Sequence, residues 1–186
     1  MNRRRVIQAA LAVAGAALLS GHSPYKQWYV YRGKHLIVVA SATDPEASRL
    51  ADALAVQLAA EIPQSQAVPA EARSIRDVVQ LLRTRQLPIG ILGRQSAGAA
   101  YAGSAPFEIE GPLALRTMAE FEDYLLVVLD DFPEDKAFEI AGAAAGLPRS
   151  QWPASRKQTT SEAPFIIPLH PGAIAFQQAH EPQTGR

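Results

Sequence analysis

There is no cysteine anywhere in the chain of 186 residues. That absence excludes disulfides, thiolate nucleophiles, Cys-type zinc sites and a lipid-modified cysteine, and it leaves the redox compartment undecided. Neither charge is in excess: 18 Lys and Arg balance 18 Asp and Glu. A nucleic-acid surface, which wants clustered surplus Lys and Arg, is therefore not expected. Catalytic motifs are missing as well. No G-x-S-x-G, H-E-x-x-H, Walker phosphate loop or G-x-G-x-x-G occurs. Gly90, Gly93 and Gly98 imitate a dinucleotide loop, but their spacing fails and no acidic ribose partner follows at the usual distance. The histidines His22, His35, His170 and His180 lack metal-ligand spacing. Asp130, Asp131, Glu134 and Asp135 are better explained by a helix start, where carboxylates complement the dipole, than by a catalytic pair. Neither enzymatic activity nor a cofactor is expected.

What is present describes a folded chain. Hydrophobic residues make up 48% and charged residues 19%, enough for one domain with a real core. Arg3, Arg4 and Arg5 precede an almost wholly apolar run from Val6 to Leu19, the pattern of a secretory segment. Fourteen helical residues reach only about 21 Å, short of a hydrocarbon core of about 30 Å. The paired arginines resemble a twin-arginine signal, with Val6-Ile7 where phenylalanine-leucine is usual. Residues 1–20 are thus expected to be an export signal or N-terminal anchor, giving a periplasmic location. Residues 21–34 form an aromatic and basic arm, either an interfacial belt or a packed strand.

Residues 35–147 carry the alternating pattern of an α/β lobe. His35–Ala40 reads as a buried strand. Pro45, with Asp44 or Thr43 as cap, starts a helix running to about Glu61. A weak strand is expected near Gln66–Val68. Ser74 caps a helix ending before Pro88, and Ile89–Leu92 reads as a buried parallel strand. Leu113–Glu120 and Tyr124–Leu129 read as a pair of strands, and Asp130-Asp131-Phe132-Pro133-Glu134 opens a helix reaching about Gly146 with the stripe Ala137, Ile140, Ala141 and Ala144. Residues 148–164 are expected to be a loop, and 165–186 a strand-like scrap, a turn at His170 and a short helix packing on the lobe. In open α/β sheets ligands bind at the carboxyl ends of the strands. That rule picks out Arg94-Gln95-Ser96, where the strand Ile89–Leu92 ends and the next helix begins. Arg94 is either a fork for a carboxylate or a solvated loop arginine, and Ser74 is either a lining residue or only a cap.

Four blocks carry a family likeness: HLIVVASATDPEASRLADALA, SIRDVVQLLRTRQLPIGILGRQSAGAAYAG, DDFPEDKAFEIAGAAAG and IPLHPGAIAF. In this order they resemble the TAXI-type solute-binding proteins of tripartite ATP-independent periplasmic (TRAP) transporters. Two departures stand out. Ser41-Ala42-Thr43-Asp44-Pro45 replaces the family's glycine- and tyrosine-rich loop, and the middle third of a receptor about twice as long has no counterpart. The resemblance implies a mostly parallel sheet flanked by helices, one lobe of a periplasmic-binding-protein type II-like fold. It implies an exported module binding a small carboxylate-bearing solute, an organic acid or amino acid, through Ser41, Thr43, Ser74, Arg94, Gln95 and Ser96. Membrane permease subunits would be its partners, and self-association would supply the missing lobe. The alternative is an accessory or protein-interaction module at the outer face of the cytoplasmic membrane that has lost solute binding.

Overall fold

The computed structural model describes residues 35–153 and 167–180. The expected export segment and arm, the loop beyond Pro153, Phe165 and Ile166, and residues 181–186 lie outside them.

Strand β1 (Ile37–Ser41) is buried along its whole length, as expected of a strand covered on both faces. Helix α1 (Pro45–Glu61) starts at Asp44, whose carboxylate accepts the Ala47 N–H at 3.3 Å, with Pro45 in the first turn where its missing N–H costs nothing. A 3-10 turn (Pro63–Ser65) follows, and Gln66 leaves it in the left-handed region at φ 44°. This cap takes the first of the residues, Gln66–Val68, where the second strand is expected. The strand β2 comes later, at Val68–Ala72.

Val68 donates its N–H to the Leu36 carbonyl, and Ala72 accepts from the Ala42 N–H. By alternation Pro69 and Glu71 point away from β1. Proline thus stands where no ladder bond is lost, which is how an edge strand accommodates it. Helix α2 (Ile75–Arg83) is capped by Ser74, whose hydroxyl accepts the Asp77 N–H at 3.2 Å, and it stops ahead of Pro88. Strand β3 (Ile89–Gly93) runs without a loop into α3 (Arg94–Ala102), which Gly103 ends at φ 67°. Strands β4 (Leu115–Phe121) and β5 (Tyr124–Leu129) form a hairpin across Glu122 and Asp123, with Glu122 left-handed at φ 54°. Helices α4 (Glu134–Ala145) and α5 (Pro171–His180) complete the described chain.

The five strands lie in the order β2-β1-β3-β5-β4, so Ile37 and Ile91 share one sheet and β5 joins it. The fold is α/β as expected, but the sheet is mixed. The pairs β1–β2 and β1–β3 are parallel, whereas β3–β5 and β4–β5 are antiparallel. The reason lies in the path of the chain: the connection after α3 delivers β4 to the outer edge, and a two-residue turn then sends β5 back antiparallel into the gap. Helices cover both faces. Helices α1 and α4 pack with Val38, Ala40, Ile89, Ile91, Leu126 and Val128, and α2 and α3 pack with Ile37, Val39, Leu92, Leu125 and Val127. Strands β1, β3 and β5 divide their alternate residues between two apolar layers, the expected consequence of a period of two, while the edge strand β2 gives Val68, Ala70 and Ala72 to the α2/α3 layer and exposes Pro69 and Glu71.

Strand β4 breaks that rule. Thr117 pairs with Val127 and Ala119 with Leu126, leaving Met118 as an extra residue. The bulge moves the odd-numbered positions across the sheet, so that Leu115 joins the α2/α3 layer and Phe121 the α1/α4 layer. Beyond β4, Thr117 donates its N–H to the Pro168 carbonyl and accepts from the His170 N–H. The segment before α5 thereby covers this edge of the sheet. His170 sits at that turn, buried. It accepts the Gly172 N–H at Nδ1 (3.2 Å), and its Nε2 lies 2.9 Å from the Phe132 carbonyl, so the neutral Nε2–H tautomer satisfies both contacts.

Candidate functional site

Strands β1 and β3 are neighbours, yet their connections part company. Strand β1 leads through α1 on one face back to β2, while β3 leads through α3 on the opposite face out to β4. This is a topological switch point, the place where open α/β sheets bind ligands in the crevice beyond the carboxyl ends of the strands, here those of β1 and β3. The residues picked out from sequence fall around it. Ser41, at the end of β1, is buried and shares a hydrogen bond of 2.8 Å with the hydroxyl of Thr43, which is exposed. Gln95 and Ser96 occupy the first turn of α3, exposed and half-buried respectively. No side chain caps that helix. Its first-turn amides have no partner within the helix, and they set the positive end of the dipole at the crevice.

Ser74 lies one strand further out, after β2, and its hydroxyl is engaged as the cap of α2. Arg94 is committed as well. Its guanidinium donates from Nη2 to the Glu120 carboxylate at 2.8 Å and to the Glu122 carbonyl at 3.1 Å. Its backbone N–H donates to the Asp123 carbonyl at 2.7 Å. The β4–β5 turn is therefore strapped to the start of α3 by one residue.

Three features at this end of the sheet are absent from the sequence reading. Tyr124, opposite Gly93 in the ladder, directs its phenol to both oxygens of Asp44. Glu120 is the ion partner of Arg94. Trp152 packs edge-on against Phe121 with ring centroids 5.3 Å apart, and its carbonyl accepts from Arg49 in α1. Tyr124 had a signal, since a hydroxyl at the start of an otherwise apolar strand needs a partner. Glu120 and Trp152 had none, because each meets its neighbour across tertiary distance.

Neither a protein-family model nor a curated protein matches the chain. The chemistry must therefore be read from the side chains. Among the described residues, no group of three or more His, Cys, Asp or Glu side chains comes together to hold a metal ion. Among the same residues no helix is long and apolar enough to cross a membrane. These strand ends bring together hydroxyls and a helix start, which are donors suited to a small anion, while the Arg94 guanidinium beside them is held by Glu120 and Glu122.

Proposed function

We propose that this chain is an exported TAXI-like solute-binding module for a small carboxylate-bearing solute, an organic acid or amino acid, acting with a TRAP-type transport system through its membrane permease subunits. The observation that supports this reading is the switch-point crevice, with Ser41 and Thr43 on one lip and Arg94, Gln95 and Ser96 on the other. In this reading the fold is one lobe of a periplasmic-binding-protein type II-like receptor. The hydroxyls and the first-turn amides of α3 orient the carboxylate, Arg94 neutralises it, and Ser74 marks the outer margin. Pockets for small ligands commonly bury about 70–90% of the ligand surface. A single open crevice covers less, so a second copy or a permease subunit supplies the other wall.

Thermal unfolding of the full chain with a panel of small carboxylates tests the proposal. A true ligand at a hundred times its Kd stabilises the native state by about 2.7 kcal/mol.

One observation favours a second reading, an accessory or protein-interaction module at the outer face of the cytoplasmic membrane that no longer binds solute. Arg94 already has an internal carboxylate partner in Glu120. Absence of a thermal shift with every acid, together with co-purification of a defined protein partner, selects that reading.

A further inference from the structure

We infer that Glu120 is a built-in competitor for the solute's carboxylate, and that the β4–β5 hairpin keeps the Arg94 guanidinium occupied until a ligand displaces this side chain. The inference rests on the solute-binding reading above and adds to it a mode of regulation.

Three acceptors converge on Arg94 from the hairpin: the Glu120 carboxylate, the Glu122 carbonyl and the Asp123 carbonyl. They are not equivalent. The carbonyls belong to the turn itself, held by β4–β5 pairing up to Phe121 and Tyr124. Glu120 is a side chain, 54% exposed, on a guanidinium that is only 28% exposed. The carboxylate can therefore swing into water without moving the backbone, while the Glu122 carbonyl keeps the guanidinium aimed. Glu120 presents to Arg94 the same group that a carboxylate ligand would present.

The strength of the pair decides whether this arrangement locks or regulates the site. A desolvated ion pair would hold Arg94 against any weak ligand. A pair this exposed contributes little, and a competing carboxylate can replace it. Occupancy by Glu120 then raises the apparent Kd in inverse proportion to the fraction of molecules in which Arg94 is unpaired. For an exposed pair that factor is roughly two to six.

The test uses the full chain and four proteins: wild type, Glu120→Gln, Arg94→Ala and Glu139→Gln. The last removes the same charge from an exposed position on α4. Calorimetric titration with acetate and with succinate is read alongside the NMR resonance of the Arg94 side-chain N–H. The inference predicts that Glu120→Gln binds roughly two- to sixfold more tightly than wild type. It also predicts that Glu139→Gln matches wild type, that Arg94→Ala loses binding, and that the Arg94 resonance moves with ligand in both of the first two proteins. Binding by Glu120→Gln alone supports the same conclusion in its strong form. Equal or weaker binding by Glu120→Gln, with wild type binding, overturns the inference and leaves the solute-binding reading standing. Unchanged binding by Arg94→Ala overturns it too. No binding by any of the four proteins rejects the solute-binding reading and this inference together.

Discussion

The phenol of Tyr124 lies 2.8 and 3.0 Å from the two carboxylate oxygens of Asp44, joining the first residue of β5 to the cap of α1. One carboxylate thus serves two purposes. It caps a helix on one side of the crevice and fixes the neighbouring antiparallel strand beneath it. Hydrogen bonds to charged groups are among the stronger ones in proteins, worth about 1.5–3 kcal/mol. Tyr124→Phe is expected to lower the unfolding free energy by about that amount in urea, with an unchanged slope. A loss below a few tenths of a kcal/mol would mean that Asp44 is held in place by its helix alone.

Gly172 stands against the start of α4. A Cβ placed there would lie 2.3 Å from the Glu134 carbonyl oxygen and 2.7 Å from the Ala137 Cβ. Gly172→Ala must therefore push α5 away from α4, and with it the Gly172 N–H that His170 accepts. The expected cost is about 1–3 kcal/mol, as for overpacking in general. Hydrogen exchange should accelerate at residues 171–180 and stay unchanged in β1 and β3.

Ser74 separates a structural role from a binding one. Its hydroxyl accepts the Asp77 N–H, so Ser74→Ala is expected to cost about 1 kcal/mol of stability. Titration of the folded variant with a bound carboxylate should give the wild-type affinity. A loss of affinity beyond the loss of stability would place Ser74 among the ligand contacts instead.

Local signals in this chain were legible, and distant pairings were not. Pro45 with Asp44, Ser74 with Asp77, and the apolar run at Ile89–Leu92 announced α1, α2 and β3, because caps and burial patterns act within one turn or one strand. The turn at His170 was readable from its proline and glycine. Its hydrogen bond to the Phe132 carbonyl was not. Strand β2 was expected too early, since nothing local shows that Gln66 turns left-handed before the strand begins. The antiparallel insertion of β5 and the bulge at Met118 follow from the arrangement of the whole sheet. Plain alternation along Leu115–Phe121 gives no sign of either. At the crevice, Ser41, Thr43, Arg94, Gln95 and Ser96 fell at strand ends, as the parallel pattern implied. The partners that hold Arg94 and Asp44 come from residues 26 and 80 positions away in the chain, beyond any local signal.

The central claim is that the tips of β1 and β3 receive a small anion, and amide NMR of the isotope-labelled chain during titration with succinate tests it most directly. The account predicts saturable shifts concentrated at residues 41–44 and 93–96, with smaller ones at the β4–β5 turn. Shifts confined to the distant α4–α5 surface, or none at saturating acid, would contradict it.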